Sequence, residues 1–211
     1  MSALKPLQRP ILVATDMEGC LVPEIWIGLA EKTGIAELRL TTRDISDYDE
    51  LMQGRLKILD EHGISLHDLE AVIAAMGPLP GAREYLDWLR ARVPLVILSD
   101  TFYEFARPLM KALDEPCLFC HTLTIDENDR IRGYRLRTTD GKRGAVEGFR
   151  TNGFSVIAIG DSYNDTSMLR AADQGILFRA PANVRAEFPQ FPHCSEYAEL
   201  ISLLVECGIP A

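Results

Sequence analysis

Lysine is scarce in this chain: only five of its 22 basic residues are lysines, and 31 acids leave a net charge of −9. A balance of that sign excludes the usual nucleic-acid binder, whose phosphate-facing surface is basic. No apolar run approaches the roughly 20 residues that span a bilayer. The opening MSALKPLQRP also lacks the apolar segment of a secretory leader. The expectation is therefore a cytoplasmic protein with neither nucleic acid nor membrane as partner. Cysteine is odd in number, at five, which argues against a disulfide framework in a chain without an export signal. Cys117-Leu-Phe-Cys120-His121 has the spacing of c-type haem attachment, but that chemistry requires export, and no second pair completes a zinc site. The neighbours Leu118, Phe119 and Leu123 favour buried structural thiols on one strand.

What is present is ordinary in bulk and specific in pattern. With 47% hydrophobic and 25% charged residues, 211 residues suffice for one sizeable core plus a small accessory piece. Three short runs, ILVAT at 11–15, PLVILS at 94–99 and FSVIAIG at 154–160, are continuously apolar. Such runs suit parallel strands covered on both faces. Helical patterns follow them: AREYLDWLRARV and FYEFARPLMKAL around the second run, DTSMLRAA after the third. The alternation predicts a doubly wound, Rossmann-like α/β fold. Residues 23–78 break the rhythm with three helical patterns and no strand, and Ser65 and Asp68 have capping-box spacing. These residues read as a small helical cap inserted after the first strand, leaving 1–22 and 79–211 as the core domain. CLFCHTLTI and RIRGYRLR flank DENDR as a hairpin, and the first ten residues read as an unstructured extension.

The three apolar runs all end in polar chemistry: Asp16, then Ser99-Asp100-Thr101, then Asp161-Ser-Tyr-Asn164-Asp165. Ligands of open parallel sheets bind outside the carboxyl ends of the strands, so these endings should converge. Asp16, Glu18, Asp161 and Asp165 at one sheet edge would repel one another, and a hard divalent cation such as Mg²⁺ relieves that repulsion. Asp16 and Glu18, two apart in an extended segment, face one side and can divide the work of nucleophile and proton donor. Ser99 and the amides of a following helix, around Asp100 to Tyr103, offer donors to phosphate oxygens. Lys142, placed just ahead of a helix GAVEGFRTNG, is the only lysine after Lys111, and a point charge there would balance the acids.

DMEG at 16–19, LSDT at 98–101, Lys142 and GDSYND at 160–165 resemble the four ordered motifs of the haloacid dehalogenase superfamily of phosphohydrolases. LVPEIWIGLAEKTGI, TTRDISDYDELM, RLKILDEHG and EFPQFP are further similar to a phosphoserine phosphatase subgroup that also transfers phosphate to homoserine. The resemblance spans residues 11 to 192. It implies Asp16 as the phosphorylated nucleophile and a Mg²⁺ ligand. Glu18 would be the general acid and base, with its main-chain carbonyl on the metal. Asp161 would be a metal ligand and Asp165 a support for the metal's waters. Ser99, Asp100 and Lys142 would hold phosphoryl oxygens, with Asn164 lining the same pocket. In the cap, Glu24 and Arg55 resemble the groups that hold the substrate's ammonium and carboxylate. The expected partners are phosphoserine and, as acceptor, homoserine; homodimerisation is left open. Two alternatives stand beside this reading: a phosphatase of another small metabolite, and a receiver-like phospho-acceptor module. A receiver is much shorter and has no cap insert.

Overall fold

The three apolar runs make the middle of the sheet. The computed structural model describes residues 4–41, 44–45 and 47–211. Its first half runs β1 (Ile11–Thr15), α1 (Ile25–Thr33), a 3-10 turn (Ala36–Arg39), α2 (Tyr48–Glu61), α3 (Leu66–Met76), α4 (Ala82–Arg90), β2 (Leu95–Phe102) and α5 (Tyr103–Ala112). The second half runs β3 (Leu118–Ile125), β4 (Ile131–Arg135), α6 (Gly141–Thr151), β5 (Ser155–Gly160), a 3-10 turn (Tyr163–Asp165), α7 (Thr166–Ala171), β6 (Gln174–Phe178), α8 (Ala182–Glu187), β7 (His193–Cys194) and α9 (Tyr197–Glu206). The sheet order is β4-β3-β2-β1-β5-β6-β7. Every pair is parallel except the hairpin β3–β4. With β1 central and the connections winding off to both sides, this is the doubly wound, Rossmann-like sheet that the sequence predicts.

The runs are continuously apolar because both faces of the sheet are covered. Leu12 and Ala14 join Val96, Leu98, Val156 and Ala158 in a cluster closed by Val146, Met168 and Val184 of α6, α7 and α8. Val13, Ile97, Ile157 and Ile159 point the other way, under α4, α5 and α9. The helices between β1 and β2 share this second cluster through Leu29, Leu56, Leu69 and Ile73, and α3 lies against α5. At the start of α3 the capping box is present. Ser65 Oγ accepts from the Asp68 amide at 3.1 Å, and Asp68 Oδ2 accepts from the Ser65 amide at 2.9 Å. The predicted hairpin is there too, and it leans on α2 through Arg132–Asp60 at 2.9 Å.

Four expectations change. β2 does not stop at Ser99 but runs on to Phe102, so α5 opens at Tyr103 and the amides of Asp100 and Thr101 belong to the strand. The pairing explains why: β2 and β3 match at Leu98↔Phe119 and next at Phe102↔His121, four residues against two, so β2 bulges at 99–101. Lys142 is not ahead of a helix; it is the second residue of α6. Of the expected extension, residues 1–3 lie outside the described residues, and residues 4–10 are not free, because Leu4 and Leu7 pack on the core and the Leu7 amide donates to Cys207 O at 2.9 Å. Cys117 is exposed, whereas Cys120 is buried as expected; all five cysteines are free thiols. Among the described residues, no helix is long and apolar enough to cross a membrane.

Candidate active site

The carboxyl ends of β1, β2 and β5 open into one cavity of about 120 Å³. Asp16, Glu18, Ser99, Asp100, Lys142 and Asp161 line its sheet side, and Glu24, Trp26, Tyr48 and Arg55 face them from the inserted helices. Asn164 is exposed at the rim. Every residue that the sequence singles out for the pocket lines this cavity except Asp165, which stands behind it. The Asp16 amide continues the β1–β5 ladder by donating to Ile159 O at 2.8 Å, which fixes where the first acid points. The bulge in β2 lets Ser99, Asp100 and Thr101 all reach the cavity, which a regular strand with alternating side chains would not allow.

Lys142 is the hub. It is 6% exposed, and its Nζ donates to Asp16 Oδ1 at 2.7 Å and to Asp165 Oδ1 at 2.8 Å, with Asp100 Oδ2 at 3.6 Å. Burial would lower its pKa, but Asp16, Asp165 and Asp100 outweigh that and hold it well above the usual lysine value. Asp165 is fully buried, and its second oxygen accepts from the amides of Asp161 and Ser162 at 3.0 and 3.1 Å and from the Ser162 hydroxyl at 3.2 Å. Both of its oxygens are therefore engaged, and it acts as the brace that sets Lys142 and the 161–162 backbone.

Asp16, Asp161 and Glu18 are crowded and pushed toward protonation. Burial and then the Asp165 charge push Asp16 well above the ordinary carboxylate range, against the pull of Lys142. Burial, followed by Asp165 and Glu24, raises Asp161 to about 7. Glu18 also reaches about 7, chiefly through burial and then Glu24; the Ile25 amide, which donates to Glu18 Oε2 at 2.8 Å, opposes the rise. These residues fit a hard divalent cation, since what the cluster lacks is positive charge. Asp16, Asp161 and the buried Cys20 each present a ligand atom within 4.8 Å of the others. The backbone makes room for this: at Gly19, with φ +75°, a Cβ would sit 2.5 Å from Asp161 Oδ2.

Arg55 is turned away from its charged neighbours Lys57, Asp60 and Glu61. It is 7% exposed and stacks 4.3 Å over the Trp26 ring, and its Nη2 donates to Leu40 O at 2.7 Å. Its Nε is buried without a hydrogen-bond partner among the described residues. Burial lowers its pKa to about 10, moderated by Tyr48, Glu18 and Glu24. The helical end of the cavity thus holds a cation that makes no ion pair among the described residues, beside Glu24 and opposite the acids at the sheet end. Sequence reasoning passed over Trp26, Tyr48, Ser162 and Cys20 as site residues, and took Thr101 only as one of the amides around Asp100 to Tyr103. Thr101 and Ser162 lie inside the motifs at 98–101 and 160–165, so their positions carried a signal. Trp26 and Tyr48 look like any aromatic on a helix, and nothing local marks them.

A scan for known families matches haloacid dehalogenase-like hydrolase over residues 12–173. The chain is 59% identical over 189 residues to phosphoserine phosphatase ThrH of Pseudomonas aeruginosa, covering 90% of this chain and 92% of that one. It is equally 59% identical to a phosphoserine phosphatase of Pseudomonas syringae pv. tomato, covering 90% and 80%. Among solved structures it resembles the phosphoserine phosphatase from T. onnurineus in complex with NDSB-201, with a TM-score of 0.69 at 25% identity over 96% of each chain. With three strand ends gathered into one acidic pocket around a buried lysine, and a family match across most of its length, the chain belongs to the haloacid dehalogenase-like hydrolases.

Proposed function

We propose that this chain is a phosphoserine phosphatase working through phosphorylation of Asp16, with residues 23–78 as a cap over a core of 1–22 and 79–211. The reaction rests on the Asp16–Lys142 contact: Lys142 holds Oδ1 and leaves Oδ2 free to attack phosphorus. As that O–P bond forms, the bond from phosphorus to the seryl oxygen breaks, and Glu18 gives the departing oxygen its proton. In the second half Glu18, now a carboxylate, takes a proton from water. The water oxygen attacks the phosphorus, inorganic phosphate leaves, and Asp16 and the Glu18 acid are restored. A group near pH 7 in its titration can do both jobs. Mg²⁺ held by Asp16, Asp161 and the Glu18 main-chain carbonyl would offset the charge of the phosphoryl oxygens. Ser99, the Asp100 backbone and Asn164 would contact those oxygens, with Lys142 as their cation.

For the substrate, the observation that carries the reading is Arg55, a buried guanidinium that lines the cavity and whose Nε has no hydrogen-bond partner among the described residues. A carboxylate is the partner it lacks, and Glu24 at the same end suits an ammonium. Phosphoserine has both groups, and two relatives 59% identical to this chain are named phosphoserine phosphatases. Homoserine keeps both groups as well, with one more methylene before its hydroxyl, so it is the second acceptor in this reading. Arg55→Ala should raise KM for phosphoserine roughly tenfold to a hundredfold, the cost of a lost charge-assisted contact. KM for p-nitrophenyl phosphate, which has no carboxylate, should change little. The same variant should lower the ratio of phosphohomoserine to phosphate seen by ³¹P NMR, because water needs no clamp. Equal losses on both donors would remove Arg55 from the substrate site.

A further inference from the structure

We propose that His121, on β3, is a positioning residue for Asp100 and, through Asp100, for the Lys142 ammonium that steadies the nucleophile. The inference rests on the phosphatase reading of this pocket. His121 is 6% exposed and sits beside the site because the β2 bulge re-pairs Phe102 with it. The Arg137 amide donates to its Nδ1 at 3.1 Å. A nitrogen that accepts cannot carry the proton, so the neutral ring has its N–H at Nε2. Burial disfavours the imidazolium, and the nearby Arg137 and Lys142 charges add to that against Asp100.

The Nε2–H has one carboxylate within ion-pair distance, Asp100 Oδ1 at 3.8 Å. That separation is one side-chain adjustment, or one water, from a hydrogen bond. The other oxygen of Asp100 faces Lys142 Nζ at 3.6 Å. Asp100 is thus held between a neutral donor on one side and an ammonium on the other. Lys142 has three N–H bonds, and Asp16 and Asp165 use two. Lys142 lines the pocket, so the third is left for a phosphoryl oxygen, and Asp100 competes for it. His121 draws Asp100 back from that contest. A histidine that merely filled the core would have both nitrogens satisfied away from the site. Here the second faces Asp100 and borders a cavity of about 330 Å³ that shares Tyr48, Asp100 and Asn164 with the catalytic one.

The test is a double-mutant cycle on kcat/KM. His121→Phe should lower kcat/KM about tenfold, and by the same factor for phosphoserine and p-nitrophenyl phosphate, since the defect lies at the phosphoryl end. In an Asp100→Asn background, whose amide no longer competes as an anion, the same change should cost less than about twofold. His121→Gln, whose amide nitrogen reaches the Nε2 position, should recover most of the loss. His121→Asn, which reaches only the Nδ1 position, should not, and this pair decides the matter if the Phe variant fails to fold. Equal losses in both backgrounds, or Asn serving as well as Gln, would make His121 a structural residue and overturn the proposal. A wild-type protein without phosphatase activity would instead overturn the functional reading beneath it.

Discussion

Asp161 carries opposite demands: an empty site favours its proton, whereas a bound cation would need its charge; the Glu18 carboxyl shares the first demand alone. Both titrate at about 7 in the folded chain, against ordinary values of 4.5 and 3.8. Folded values above unfolded ones mean the fold binds these protons more tightly than the unfolded chain does. Their contribution to stability is therefore fully present below about pH 4 and is lost as pH rises through about 7. His121 works the other way, because its lowered pKa favours the fold at higher pH. Comparing the same sample with Mg²⁺ and with EDTA at each pH cancels that term. The thermal gain from Mg²⁺ should grow between pH 5 and pH 8, as protons cease to compete for the carboxylates. A gain in melting temperature that is the same at both ends would show that the cation does not meet Asp16 or Asp161. Asp16→Asn should abolish turnover while the protein still melts cooperatively, because an amide cannot form the acyl phosphate.

At the scale of elements, the turns after the strands do different work from the helix ends that only hold the scaffold. Ser65 caps α3, and replacing it by Ala should cost about 1 kcal/mol. That corresponds to roughly 2–4 °C in a chain of this size, with kcat unaffected. Gly160, the last residue of β5, is the contrasting case. A Cβ there would sit 2.3 Å from the Cβ of Asp165, whose two oxygens set Lys142 and the 161–162 backbone. Gly160→Ala should therefore lower kcat by at least tenfold, a loss of about 1.4 kcal/mol in transition-state stabilisation, while its stability cost stays in the usual range of about 1–3 kcal/mol for overpacking. Thermal melts and steady-state rates on both variants separate scaffold from site. An active Gly160→Ala protein would mean that the brace around Asp165 is slack.

Across the whole molecule, the chain ends tie back to the centre. Tyr197 of α9 stacks on Tyr85 with ring centroids 5.0 Å apart, and its hydroxyl donates to Cys20 O at 2.8 Å. The C-terminal helix thereby supports the loop that carries Glu18 and Gly19. The N-terminal segment closes on the same helix end through Leu7 and Cys207. A chain starting at residue 9 loses the half-buried Leu4 and Leu7 and should be less stable by about 1–3 kcal/mol, with kcat per folded molecule retained. Urea titration measures this, and an unchanged midpoint would restore the extension reading.

The sequence by itself determined the class of fold and which polar residues end its central strands. Continuous apolar runs of five or six residues between helical patterns suit strands covered on both faces, and a parallel sheet of such strands presents its ligand at their carboxyl ends. Asp16, Asp161 and Ser99 were therefore legible from where their runs stop. The capping box at Ser65 was legible because its hydrogen bonds are local. The partners of Lys142 were not, since they come from positions 126 and 23 residues away along the chain. Nor was the bulge that turns Ser99, Asp100 and Thr101 together into the pocket, because it exists only in the pairing of β2 with β3. Arg55 shows the division most plainly. In the sequence it is one charge among Lys57, Asp60 and Glu61. Only the folded packing, with Trp26 under its guanidinium, buries it at the edge of the cavity, because burial is a property of neighbours that the chain brings together by folding.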